Sequence, residues 1–445
     1  MTCRTLAGAA LAVLVSAAPL VAQPSFKRYV AVGDSLTAGF TNGSLVYTHQ
    51  QSSWPALLAG QIGISLTSFQ QPYITEPGGP AELALVSLSP LVVAPRATGT
   101  GLPANFALDR PYDNLAVPGA TSVDVVSRTT GAFEDAILRG KGTQLQQAVS
   151  LAPTFATLWI GSNDVLGAVT SGRAIDGVTM VPLPAFRAAY AQSVSSLRAT
   201  GAYLVTATIP DVTLSPFANA IPPYVVNPST GQPVLIGGQT VPLLGPTGPL
   251  AAGSKVTLGA SSLLAKGVGI PAALGGSGQP LPDEVILDPS ELAIIRDRVD
   301  AINASIREIA GAASVPVLDL NAFTTDLLTN GFSYAGVTLD GAFLTGGLVG
   351  FDGIHPTEIG YALVANEWIA FLNQQAGTDL RPVALAPFVF GTASSLSAPA
   401  GGLPAPAPGA RTRTSGPGTA PFTPFEFTWE AFEQLRSVFP ELSAR

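Results

Sequence analysis

A serine hydroxyl becomes a nucleophile only where a neighbouring base can take its proton and donors can hold the oxyanion that its attack creates. Histidine is the usual base, and the 445-residue chain has two, His49 and His355. His355 lies in "GFDGIHPTEIGY" (350–361), three residues after Asp352 and just ahead of a helical stretch. At that spacing the Asp352 carboxylate can turn back onto the imidazole Nδ1, fix its tautomer and leave Nε2 to face a serine. Pro356 disfavours helical backbone at His355, so the helix is expected to begin after it. His49, in "VYTHQQSSW" (46–54), has no carboxylate close in sequence and reads as a loop histidine.

The candidate nucleophile lies within "KRYVAVGDSLTAGF" (27–40), where an apolar run passes straight into Gly33-Asp34-Ser35-Leu36. Two readings meet there. Asp and Ser are preferred helix N-caps, and a serine at the carboxyl end of a strand is placed to attack a bound carbonyl. Asp34 is expected to bond nearby loop backbone rather than to join a triad. The Gly-x-Ser-x-Gly elbow is absent, because Thr37 stands where its second glycine would be.

The elements around these residues alternate. Short, continuously apolar runs at 28–33, 155–161, 203–210 and 315–320 read as strands buried on both faces. Helical patterns lie between and after them, at 53–62, 184–201, 288–313 and 357–377. In 288–313, Ile294, Ile295, Val299, Ile302, Ile306 and Ile309 recur at helical spacing, with Asp288 or Ser290 available as cap. Thr357 is the expected start of the last helix, and Gly377 lies near its end. Strands alternating with helices predict an α/β fold with a central parallel sheet between helical layers.

Two Pro- and Gly-rich insertions, about 64–110 and 211–287, interrupt that plan. Within the second, the apolar stretch 241–276 is expected to form a lid or groove beside the site. The rest of 23–385 makes one catalytic domain. Residues 386–421 read as a low-complexity linker, and 422–445 as a C-terminal amphipathic helix with Trp429, Phe432, Leu435 and Phe439 on one face. That helix is expected to dock on the domain or to make peripheral contact with a membrane or cell surface.

Composition narrows the function. Charged residues are scarce at 11%, and the net charge of −8 leaves no basic surface for nucleic acid. Arg4, the apolar run that follows it and the small residues up to Ala22 read as a signal peptide over 1–22, which implies a secreted, periplasmic or cell-surface protein. The single cysteine, Cys3, falls inside that segment, so the processed chain would have neither a disulfide nor a thiolate nucleophile. Two histidines and no mature cysteine argue against zinc, and "GPLAAGSK" (248–255) fails as a phosphate loop because serine precedes the lysine.

"GDSL" (33–36) and "DGIHP" (352–356), together with "NLAVPGAT" (114–121) and "GSND" (161–164), occur in the order shown by the GDSL, or SGNH, hydrolases, and the chain resembles a secreted bacterial lipolytic member. The resemblance covers about 27–375. It implies a three-layer α/β/α sandwich of flavodoxin-like kind, with Ser35 as nucleophile, His355 as general base and acid, and Asp352 orienting it. It also implies an oxyanion hole made by the Ser35 and Gly119 backbone N–H groups and the Asn163 side-chain amide. The expected activity is ester hydrolysis, of lipase or carboxylesterase type, on a small-molecule or lipid ester, with no metal or other cofactor. Two alternatives stand beside it: a carbohydrate O-acetyl esterase, favoured by an open aromatic cleft, and a non-catalytic surface-binding module.

Overall fold

In the computed structural model, which describes residues 24–390, 422–439 and 442, the four apolar runs form one parallel sheet. Its strands are β1 (Tyr29–Gly33), β2 (Phe155–Trp159), β3 (Tyr203–Ala207) and β4 (Val317–Leu318), side by side in that order. Tyr29 pairs with Phe155, Phe155 with Tyr203, and Thr206 with Val317. The backbone of 113–117 lines the free edge of β1: Ala31 N donates to Asp113 O, Leu115 N to Ala31 O and Val117 N to Gly33 O, at 2.9–3.1 Å. All these segments run the same way. Ser35, the Pro118–Thr121 turn and Asn163 therefore leave the sheet at one edge, where ligands bind in open parallel sheets.

The labelled helices are α1 (Ser35–Ala38), α2 (Trp54–Gln61), α3 (Asn163–Ser171), α4 (Leu183–Ala199), α5 (Pro289–Ala312), α6 (Leu320–Asn330), α7 (Glu358–Ala376) and α8 (Trp429–Val438). Successive strand residues point to opposite faces, so Val30, Val32 and Leu158 pack with Phe186, Tyr190, Val299 and Ile302 of α4 and α5. Tyr29, Ala31, Phe155 and Trp159 pack towards α2, α6 and α7. This is the expected three-layer α/β/α arrangement. On the second face Trp54 stacks on Trp368 at 4.6 Å and 4°, with Trp159 edge-on to Trp54 at 6.1 Å. Such pairs add roughly 0.5–1.5 kcal/mol each beyond the area they bury.

Helix boundaries follow their caps. Asp288 accepts from Ser290 N and Glu291 N, Glu291 closes a capping box, and Pro289 opens α5. The stripe Ile295, Val299, Ile302 and Ile306 is buried, whereas Ile294 is 45% exposed, since one residue is a step of about 100° around the helix. Thr357 caps α7, and Gly377 ends it in the left-handed region at φ 62°.

The insertions carry small elements instead of helix pairs. The first contains an antiparallel hairpin, Leu83–Leu88 with Leu91–Pro95, and the second short two-residue strand pairs and single helical turns. Residues 386–390, expected to begin the linker, form a helical turn. The remainder of the linker and the expected signal peptide lie outside the described residues.

The C-terminal segment docks. Phe425–Phe427 adds a parallel strand to the hairpin, with Phe425 opposite Leu91. Thr428 caps α8 and accepts from Ala431 N. Phe432, Leu435, Val438 and Phe439 are buried and Trp429 half-buried, so the apolar face of this helix lies on the domain.

Candidate active site

At the end of β1 both sequence readings of Gly33–Leu36 hold at once. Asp34 caps α1 by accepting from Leu36 N at 3.0 Å, and Ser35 is the first residue of that helical turn. Burial, reinforced by the charge of Asp164, pushes the Asp34 carboxyl up to about 7. Asp34 thus shapes the turn and takes no place beside His355.

Ser35 Oγ lies 2.9 Å from His355 Nε2, and His355 Nδ1 lies 2.9 Å from Asp352 Oδ2. With the proton on Nδ1, the imidazole donates to Asp352 and accepts from the Ser35 hydroxyl. Asp352 Oδ1 accepts from the N–H groups of Ile354 and His355 at 2.8 Å, and Oδ2 also accepts from Gly43 N at 2.6 Å. Burial alone would raise the Asp352 carboxyl. The neighbouring His355 and these hydrogen bonds outweigh it and hold Asp352 below the usual carboxylate value. Helix α7 starts at Glu358, after Pro356, which leaves His355 on the loop as its sequence requires. The three side chains are buried, at 2% for Ser35 and 0% for His355 and Asp352.

Of the two remaining expected residues, Asn163 lines the cavity at Ser35, and Gly119 lies on the turn that follows the backbone along the edge of β1. Gly119 has φ 76°, in the region that favours glycine, and a Cβ there would lie 2.4 Å from the Val438 carbonyl oxygen. Asn163 opens α3, lines the same cavity as Ser35 and His355, and donates one Nδ2 hydrogen to Ala120 O at 3.0 Å. A side-chain amide has two such hydrogens, and the second is the one an oxyanion would use.

Several residues that hold this arrangement were given no role in the sequence analysis. Asp164 accepts from Ser122 N at 2.8 Å and Ser122 Oγ at 2.5 Å, joining the Gly119 turn to the Asn163 helix. Tyr361, on α7, donates to Phe40 O at 2.6 Å and braces the end of α1. Asn114 Nδ2 reaches Thr37 O and Gln71 Oε1, each at 3.0 Å. Phe40 and Phe439 rings lie 4.8 and 5.6 Å from the His355 ring. An Asp next to "GSN" and an aromatic six residues after His355 were visible, but only tertiary contact gives them a role.

A cavity of about 100 Å³ begins at Ser35 and His355. Its walls include Trp159, Leu166, Leu327, Leu328, Leu348 and Val364. The stretch 241–276 does not line it, contrary to the sequence expectation. Apolar composition says that a segment will be covered, not by what, and Leu258 instead packs beside Phe217 and Gly353 in the main core. His49 stays away from the serine: its ring nitrogens meet Glu82 Oε1 at 2.7 Å and Glu358 Oε1 at 3.0 Å.

A serine, an imidazole and a buried carboxylate in hydrogen-bonded sequence, beside amide donors, suit acyl transfer. The profile of the GDSL-like lipase/acylhydrolase family matches residues 29–368. The chain belongs to this family. It is therefore a carboxylic ester hydrolase. No curated protein matches the chain. Among solved structures, an acetylxylan esterase from Geobacillus stearothermophilus is 13% identical, with TM-score 0.37, over 79% of this chain and 97% of that one. An extracellular lipase from Streptomyces rimosus is 16% identical, with TM-score 0.31, over 78% and 98%. An alpha/beta hydrolase from the metagenome of Lake Arreo, Spain, is 13% identical, with TM-score 0.33, over 78% and 94%.

Proposed function

We propose that this family member is an exported serine ester hydrolase whose substrate carries an apolar acyl chain, and that Ser35, His355 and Asp352 are its triad. The observation that carries the reading is the hydrogen-bonded line from Asp352 through His355 to Ser35, ending at a cavity walled by aliphatic side chains. Ser35 Oγ attacks the ester carbonyl while His355 Nε2 takes its proton. The tetrahedral oxyanion is held by the Ser35 and Gly119 N–H groups and the Asn163 amide. His355 then protonates the departing alcohol, and the same base draws a proton from the water that releases the acid from Ser35. Asp352 keeps the imidazole in the tautomer that these steps need.

The aliphatic lining supports a lipid or medium-chain acyl group over acetylated polysaccharide, which an open aromatic cleft would suit better. Export rests on the expected signal peptide at 1–22, and would place the enzyme outside the cell, in a periplasm or on the cell surface. Hydrolysis of ethyl esters from acetate to palmitate, followed by release of the acid, tests the reading. Turnover should rise with chain length beyond acetate and vanish in Ser35→Ala. A preference for acetate would favour the O-acetyl esterase, and turnover unchanged in Ser35→Ala would overturn the assignment.

A further inference from the structure

An ester carbonyl bound at Ser35 has two substituents, and one of them fits the aliphatic cavity beside Trp159 and Leu327. A second cavity, of about 290 Å³, lies against the Pro118–Gly119 turn, with Phe133 and Leu102 in its wall. Its wall towards the C-terminal helix is Ser437 and Val438. The end of the C-terminal segment reaches both cavities: Val438 lines the second, and Phe439 lies on His355, which lines the first. The Val438 carbonyl presses on Gly119, and the Phe439 ring stacks on His355 at 5.6 Å and 23° and meets Phe40 edge-on at 6.4 Å.

These residues belong to a strap, 422–439, that lies beyond the family match ending at 368. The insertions hold it. From the first, Val93 O accepts from Thr428 N at 3.1 Å and Ala81 O from Gln434 Nε2 at 2.7 Å. From the second, Ser261 Oγ accepts from Phe427 N and donates to Phe425 O, each at 2.9 Å. Phe432 stacks near Phe217 and lies so close to Gly259 that a Cβ there would fall 2.5 Å from its ring. The insertions are thus a cradle, and what they cradle ends on the catalytic histidine.

We infer that Val438 and Phe439 occupy the half of the substrate groove on the Gly119 side, so that the docked strap admits esters with one small substituent and its release joins the two cavities into a groove for esters bulky on both sides. The inference rests on the serine reaction proposed above. A displaced ring of this size opens the space of one aromatic side chain, enough for a short branched or alkyl group to pass the histidine.

Fluorophosphonates test it, because Ser35 Oγ forms a bond to phosphorus as fluoride leaves with the serine proton. Labelling rates are measured on the full chain with a small probe (methyl and ethoxy on phosphorus) and a large one (long alkyl and bulky alkoxy). The native protein is compared with Phe439→Ala, which trims the plug, and with Phe432→Glu/Leu435→Glu, which undocks the helix; thermal unfolding is recorded for each. The expected result is large-probe labelling that speeds up at least about tenfold in either folded variant relative to the small-probe rate of the same variant. Should the double variant not fold, Phe439→Ala decides alone. An unchanged or lower large-probe rate relative to the small-probe rate, with the small probe still reacting, overturns the strap's role and leaves the serine reaction standing. Failure of the small probe with every form overturns that reaction, and the inference with it.

Discussion

Ser122, directly after "NLAVPGAT", and Asp164, the last residue of "GSND", are joined by two hydrogen bonds: the Ser122 backbone N–H and hydroxyl both donate to the Asp164 carboxylate, at 2.8 and 2.5 Å. Ser122 begins the helical turn that follows Gly119, and Asp164 follows Asn163. The proposed oxyanion donors, on the Gly119 turn and at the start of α3, are therefore tied together through one buried carboxylate. Asp164→Ala should let that spacing drift. Because a misplacement of about 1 Å can cost about 10²-fold, kcat should fall about 10–10²-fold with KM nearly unchanged, and Asp164→Asn should recover part of it. A parallel rise in KM would show general loosening instead of a positioning role.

The proposed triad and the proposed oxyanion donors should separate by magnitude. Ser35→Ala or His355→Ala should lower kcat about 10⁴-fold or more, since the groups act as a unit. Asn163→Ala removes a single donor and should cost about 10²–10³-fold. Steady-state kinetics on one ester series measures all three. Equal losses for Asn163 and Ser35 would mean that Asn163 holds the loop and not the oxyanion.

Much of this site was legible: Gly33–Leu36 at a strand end and Asp352 three residues before His355 are short local patterns, whereas Gly119 and Asn163 were reached through the resemblance of their blocks to the GDSL hydrolases. The strands were legible for a related reason. Val30, Val32 and Leu158 face one helical layer while Tyr29, Ala31 and Phe155 face the other, so each run is apolar throughout. What stayed hidden depends on distant packing. The tie between Ser122 and Asp164, the brace from Tyr361 to Phe40 and the stack of Phe439 on His355 bring together residues with no spacing in common. The stretch 241–276 misled because hydrophobicity marks burial without naming the partner surface.

Asp34 supplies a pH test. Its carboxyl is raised to about 7 in the fold, by burial first and by the charge of Asp164, from an unfolded value near 4. Between those values the native state binds the extra proton, so this group makes stability fall as pH rises from about 4 to 7. Asn is an equally good cap and cannot ionise. Asp34→Asn should keep the bond to Leu36 N and gain on the native protein with rising pH, by on the order of 2–4 kcal/mol at pH 8 relative to pH 4. Urea unfolding at the two pH values measures it. A gain that is the same at both would place the raised ionisation elsewhere.

His49 provides the opposite sign. It bridges Glu82, which also pairs with Arg96 at 3.0 Å, and Glu358 in the first turn of α7, just after the loop that carries His355. Burial alone would lower its pKa, but the hydrogen bonds to Glu358 and Glu82 prevail and raise it to about 9, while Glu82 is held below the usual glutamate value. A cationic group whose folded pKa is raised contributes fully below the unfolded value, about 6.5, and loses its contribution as pH passes through about 9. The Glu82 contribution is lost in the other direction, as pH falls through its lowered pKa. The clamp is therefore at full strength from above that carboxylate's titration to about pH 6.5. His49→Gln should destabilise the protein by roughly 1–2 kcal/mol at pH 6, after allowing for screening at the exposed Glu358, and by much less at pH 10. Because Glu358 also begins the helix behind His355, the variant should lose activity on warming before the native protein does at pH 6, and the two should converge at pH 10. Urea unfolding and residual esterase activity, followed at both pH values, check this, and a stability gap that does not narrow with pH would assign His49 a role in packing alone.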